Sequence, residues 1–161
     1  MGFFEKLMQG RKDIEIGAPA AGEAVPIGTV SDETFAQEML GKGVAIVPED
    51  GRFVAPADGV VESLFPTGHA YAVTTPEGAE IMVHIGLDTV KLKGEHFKLI
   101  AAQGDTVKKG DPMVEVDLEA VKQAGYDIIT PVLVLNPDDF SGIEKKEGHV
   151  NAQDAIMVLK R

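Results

Sequence analysis

Four histidines, His69, His84, His96 and His149, are the side chains of this sequence best suited to chemistry near neutral pH, because the chain has no cysteine. Two of them are related by a turn. Thr75-Pro76-Glu77-Gly78 lies between His69 and His84, with Pro second and Gly fourth, the preferences of a type I turn. A hairpin centred between Pro76 and Glu77 sets His69 directly across from His84, with Cβ atoms about 4.5–5.5 Å apart. In that register Ala70, Ala72, Ile81, Val83 and Ile85 form an apolar core face. Tyr71 then opposes Met82, and Val73 opposes Glu80, on the histidine face. A four-residue loop with the same centre keeps the pairing.

Two imidazoles on one patch support three readings. A neutral imidazole nitrogen can attack phosphorus, and the phosphoramidate formed passes its phosphoryl group on readily. The second imidazole and nearby hydroxyls would then donate hydrogen bonds to the phosphoryl oxygens. Alternatively, two histidines, a carboxylate and a water would make a zinc site. The third reading is a pair of surface histidines without chemistry.

The elements that must position this pair are strands. Gly 18 and Pro 9 among 161 residues exceed what a helical bundle tolerates, while 44% hydrophobic residues suffice for a core. The runs VAIVPEDG, FVAPADGVV, AYAVTTPEG and AEIMVHIG each end in turn chemistry, and further strands are expected at 128–135 and 156–159. Ser31 offers a cap for a helix through Phe35, Ala36, Met39 and Leu40 that Gly41 stops, and a second helix is expected at 118–124 between Asp117 and Gly125. Pro48-Glu49-Asp50-Gly51 is echoed by Pro56-Ala57-Asp58-Gly59, and Gly104-Asp105 by Gly110-Asp111, either as repeated turns or as a duplicated motif.

The net charge of −11 provides no basic footprint for nucleic acid. No apolar run approaches the about 20 residues of a membrane span, and the N-terminus lacks the apolar stretch of a secretory signal. The chain is therefore expected in the cytoplasm. Residues 1–16 read as a separate tail. Phe3, Phe4, Leu7 and Met8 form one helical stripe, with Lys6, Arg11 and Lys12 making residues 1–12 basic. Such a segment either lies on anionic lipid at the inner face of the membrane or folds back as a flap. Residues 13–30, rich in Ala, Gly and Pro, read as a linker into the first strand.

The stretch Gly78-Ala79-Glu80-Ile81-Met82-Val83-His84-Ile85-Gly86-Leu87-Asp88-Thr89-Val90 resembles the phosphorylation-site signature of glucose-type IIA phosphocarriers of the bacterial sugar phosphotransferase system. VAPADGVV, Thr67-Gly68-His69-Ala70, LKGEHFK, the Gly-Asp-x-Val-x-x-Gly-Asp run and Thr130-Pro131-Val132 are similar to the same family, and the likeness covers residues 17–161. The MGFFEK start is similar to the membrane-associating tail of stand-alone members.

The resemblance implies an all-β fold, an antiparallel β-sandwich with a duplicated motif and one or two short helices. It implies that His84 is phosphorylated on Nε2 by the phosphohistidine of the phosphocarrier protein HPr. His69 would stabilise the transfer, Thr67 would hydrogen-bond to His69, and Asp88 and Gly86 would shape the adjoining loop. Phe35, Met39, Phe65, Tyr71 and Met82 would form an apolar collar with an acidic margin suited to a basic donor. The acceptor would be a cysteine of a IIB domain, expected on another polypeptide along with the membrane channel. No cofactor is required. A second possibility is a regulatory module that docks on transporters or enzymes according to phosphorylation state, with zinc shared at His69 and His84. A zinc peptidase is disfavoured because the chain lacks the His-x-His pair such sites use. His96 and His149 are expected in loops without a direct role, and the chain is expected to be a monomer.

Overall fold

The computed structural model describes residues 12–161. The stripe of Phe3, Phe4, Leu7 and Met8 lies outside the described residues. In chain order the strands are β1 (Ile14–Gly17), β2 (Gly22–Pro26), β3 (Lys42–Pro48), β4 (Arg52–Val54), β5 (Gly59–Leu64), β6 (Ala70–Thr74) and β7 (Glu80–His84). They continue as β8 (Phe97–Leu99), β9 (Thr106–Val107), β10 (Pro112–Val116), β11 (Thr130–Val134), β12 (Gly142–Lys145), β13 (Gly148–Val150) and β14 (Ala155–Lys160). Two short helices interrupt them, α1 (Glu33–Ala36) and α2 (Leu118–Gln123).

The strands form an antiparallel β-sandwich. One layer is an eight-stranded sheet in the order β13-β2-β3-β11-β7-β6-β5-β9; the other side is built from two three-stranded sheets, β1-β14-β12 and β4-β10-β8. Alternation along the central strands divides their side chains between two cores. Val44, Ile46, Ile81, Val83, Val132 and Val134 face inward to the main core, which also holds Ile14, Ile16, Phe53, Met113 and Leu159 from the small sheets. The opposite face of the large sheet carries a smaller cluster, Ala45, Leu87, Ile129 and Leu133, roofed by Ile27, Val30 and Phe35.

Residues 14–26 are two strands and not the linker their composition suggests. Ile14 and Ile16 alternate into the core, while Ala18 and Ala20 are fully buried. A Cβ at Gly22 would sit 2.1 Å from the Val47 carbonyl oxygen, so the small residues here serve close approach of backbones. Helix α1 is also shorter than its apolar spacing suggests. Asp32, not Ser31, caps it by accepting from the Thr34 N–H at 2.9 Å. It ends at Ala36 with Gln37 as its C-cap, and the chain turns away at Glu38, whose φ is +56°; Glu38 N–H donates to the Phe35 carbonyl and Met39 N–H to the Thr34 carbonyl. The Glu38 carboxylate is held by Gly43 N–H at 3.1 Å and Lys145 Nζ at 3.0 Å, which stabilises a conformation that usually needs glycine. Helix α2 follows its expected limits, with Asp117 accepting from Ala120 N–H and Gly125 at φ +95°.

The hairpin carrying the histidines differs from the expected register by one residue. Ala70 pairs with His84, Tyr71 with Val83 and Ala72 with Met82. Thr75 and Ala79 close a three-residue loop, Pro76-Glu77-Gly78, with Gly78 at φ +94°. This is a type I turn followed by a left-handed residue, which shifts the pairing centre from that of an even-numbered loop. Ala70 and Ala72 therefore lie on the face of Met82 and His84, whereas Tyr71 and Val73 face the main core. Tyr71 is fully buried and donates its hydroxyl to the Val54 carbonyl at 2.7 Å, tying β6 to β4 across the sandwich. It is a core residue and takes no part in a surface collar.

Candidate active site

His84 ends β7 and points away from the main core, half-buried against the Phe35 ring at a centroid distance of 4.9 Å. His69 precedes β6, beyond the last ladder pair, and follows Gly68 at φ +74°. Strand alternation no longer directs its side chain there, so the imidazoles meet despite the shifted register. The His69 carbonyl accepts from Ile85 N–H at 2.6 Å. The two rings stand edge-to-face, 5.2 Å apart at 79°. Phe65 closes the row on the far side, 5.1 Å from His69 at 88°. Phe35, His84, His69 and Phe65 thus form a continuous line of four rings.

The Nδ1 atom of each histidine is engaged. His84 Nδ1 lies 2.7 Å from the Gly86 carbonyl oxygen, and His69 Nδ1 lies 2.5 Å from Thr67 Oγ1. A carbonyl can only accept, so in neutral His84 the proton sits on Nδ1 and the lone pair on Nε2. Burial lowers the pKa of His84; the Gly86 carbonyl, Asp32 and Asp88 pull the other way. His69 is 4% exposed, and burial together with the neighbouring His84 pushes its pKa down to about 4. Both rings are held towards the neutral form, in which a nitrogen lone pair is available.

The Gly86 loop is tightly confined. Gly86 has φ +79°, and a Cβ there would come within 2.6 Å of Thr89 Cγ2 and 2.8 Å of the Asp127 carbonyl oxygen. Asp88, also left-handed at φ +58°, is exposed beside His84. Of the expected collar, Phe65 is exposed next to His69, Met39 lies 70% exposed just after α1, and Met82 is half-buried two residues before His84. Phe35 is buried and lies beneath His84. Sequence reasoning missed Asp32, whose charge acts on His84, although its position before a short apolar helix was a capping signal. It also missed exposed Leu99, whose side chain flanks Gly68.

His96 lies in the loop before β8, 3.9 Å from Glu95. His149 is on β13, not in a loop, and lies 3.2 Å from Glu49. Two imidazoles are available for a metal at the paired site. Among the described residues no group of three or more His, Cys, Asp or Glu is assembled for one, so further ligands would have to come from outside these residues. Among the described residues no helix is long and apolar enough to cross a membrane.

Residues 14–140 match the family described as phosphoenolpyruvate-dependent sugar phosphotransferase system, EIIA 1. The chain belongs to that family. It is 40% identical to the PTS system glucose-specific EIIA component of Haemophilus influenzae over the full length of both. It is also 46% identical over 152 residues to the PTS system beta-glucoside-specific EIIBCA component of Bacillus subtilis, covering 94% of this chain and 25% of that protein. The chain thus spans about a quarter of the multidomain relative and all of the stand-alone one. The glucose permease IIA from Mycoplasma capricolum superimposes with a TM-score of 0.86 and 36% identity, covering 99% of this chain and 100% of that one. The chain is a glucose-type IIA component, a phosphotransfer protein of the sugar phosphotransferase system, and its sandwich is that of the family.

Proposed function

We propose that His84 Nε2 accepts a phosphoryl group from the phosphohistidine of HPr and passes it to a cysteine of a IIB domain. The observation that carries this reading is the engaged Nδ1 atom of His84. With the Gly86 carbonyl taking that proton, the lone pair on Nε2 is the nucleophile. In the first step a bond forms between His84 Nε2 and phosphorus while the donor's N–P bond breaks, returning the electron pair to the donor imidazole. In the second, the acceptor thiolate forms an S–P bond as the His84 N–P bond breaks.

His69 supports both steps. When Thr67 Oγ1–H donates to His69 Nδ1, the ring proton resides on Nε2 and can be offered to a phosphoryl oxygen. The low pKa of His69 keeps its ring neutral beside His84. Phe65, Met39 and Met82 supply apolar contact around the rings, and Asp32 and Asp88 give the margin negative charge that suits a basic donor. Residues 1–12, basic and striped with apolar side chains, would bring the domain to anionic lipid at the inner membrane face. Vesicle co-sedimentation of the full chain against one lacking residues 1–12 tests that contact, and equal binding by the two refutes it.

Incubation with phosphoenolpyruvate, the upstream donor system and HPr tests the main reading. A single acid-labile phosphate is expected, absent from His84→Ala. His69→Gln should still accept phosphate but pass it on poorly to a IIB domain. Label retained in His84→Ala would overturn the assignment of the nucleophile.

A further inference from the structure

We propose that Thr89 is a positioning residue for phosphoryl acceptance, its hydroxyl holding the loop that keeps the Gly86 carbonyl on His84 Nδ1. The inference rests on His84 being the nucleophile.

Strand β7 stops at His84, and the next residues have no ladder to orient them. Two of the four, Gly86 and Asp88, have left-handed backbones, so the loop makes no repeating hydrogen bonds of its own. Three contacts fix it instead. Ile85 N–H donates to the His69 carbonyl at 2.6 Å, Leu87 N–H donates to the Asp127 carbonyl at 3.0 Å, and Thr89 Oγ1 donates to the Ile85 carbonyl at 2.6 Å.

The peptide joining Gly86 to Leu87 is thereby held at both ends. Its N–H points to Asp127 and its carbonyl to His84 Nδ1. Such a chain of hydrogen bonds is polarised along its length, which strengthens the pull on the His84 proton. The preceding peptide, joining Ile85 to Gly86, is fixed by Thr89 alone on its carbonyl side. The first two contacts are backbone to backbone, so Thr89 is the one side chain in the set.

The burial of Thr89 fits this task. Besides Tyr71, whose hydroxyl is bound across the sandwich, His69, Thr75, Thr89 and Thr130 are the buried polar side chains among the described residues. Thr75 accepts from Ala79 N–H in the far hairpin loop, and Thr130 donates to the Ile128 carbonyl at the start of β11. Thr89 is the buried hydroxyl beside the nucleophile. Without it the Ile85 carbonyl, in a residue only 2% exposed, would lose this partner. The loop could then satisfy that carbonyl only by moving, and the Gly86 carbonyl would move with it.

Thr89→Val keeps the shape and removes the hydroxyl; Thr89→Ser keeps the hydroxyl. Nitrogen NMR of the His84 ring reads its tautomer directly, independently of any phosphoryl donor. The expected result is a predominantly Nδ1–H ring in the wild type and in Thr89→Ser, and a mixed tautomer in Thr89→Val. Acceptance from phospho-HPr should fall about tenfold in Thr89→Val with donor KM unchanged, as expected for a misaligned nucleophile, and stay within about twofold in Thr89→Ser. An unchanged His84 tautomer in folded Thr89→Val overturns the proposal. So does loss of the Nδ1–H form in Thr89→Ser, a test that stands even if the valine variant does not fold. Failure of the wild type to accept phosphate would instead overturn the functional reading, whatever the tautomer.

Discussion

The two faces of the eight-stranded sheet use the same strands for different ends. Inward, Val44, Ile46, Ile81, Val83, Val132 and Val134 close against the two small sheets, and even the Tyr71 hydroxyl finds its partner inside. Outward, the cluster around Ala45, Leu87, Ile129 and Leu133 is smaller, and its roof ends at Phe35, directly under the His84 ring. The inner face has apolar side chains on both layers and supplies most of the stability. The outer face is apolar only as far as the histidines. Burial lowers both pKa values, and His84 remains partly exposed. A single change of direction at each strand residue thus separates what holds the fold from what performs the transfer.

Substitutions can break that separation or sharpen it. Phe53→Ala, fully buried in the main core, should cost about 3–5 kcal/mol in denaturant melts while leaving the His84 pKa of the folded protein unaltered. A large movement of that pKa would mean that the two faces are coupled. Phe35→Ala should cost about 3 kcal/mol, the lower end for a buried phenylalanine because its site adjoins the surface, and should raise the His84 pKa as burial is relieved. Proton titration by NMR checks the second part.

The outer face should also carry an acid-sensitive part of the stability. Unfolded His69 binds a proton near 6.5, whereas native His69 resists protonation to about 4. The unfolded state therefore holds more protons in that window. Stability should fall on the order of 2–3 kcal/mol as pH drops from 6.5 to 4. His84, shifted in the same direction, adds to the loss. Urea melts across that range should show a shallower slope for His69→Gln. Tyr71→Phe should cost about 1 kcal/mol with phosphoryl acceptance intact, since only the cross-sandwich hydrogen bond is lost. Met39→Ala should change stability by less than about 0.5 kcal/mol, as expected for an exposed side chain, and weaken binding of HPr. Unchanged HPr affinity would remove Met39 from the docking surface.

Much of the fold was legible because β3, β6, β7, β11 and β14 are runs of β-branched and apolar residues bounded by turns. The first two strands were not, since Ala18, Ala20 and Gly22 are small for reasons of backbone approach that composition cannot distinguish from flexibility. The histidine pairing was legible for the wrong geometric reason. An even-numbered loop was expected, and the left-handed Gly78 makes it odd, which sends Tyr71 inward. His69 reaches His84 because it lies beyond the ladder, a fact that depends on where the strand stops. The left-handed turn at Glu38 after α1 was hidden because its support comes from Gly43 and from Lys145, distant in sequence.

That support has a consequence for behaviour in different ionic media. The turn after Phe35 is latched by the half-buried pair of Glu38 and Lys145. Counter-ions screen exposed charges that stand farther apart than about 8 Å at physiological strength or about 3 Å at 1 M, whereas a part-buried pair in contact at 3.0 Å is screened much less. The floor beneath His84 therefore keeps most of its latch from dilute buffer to brine.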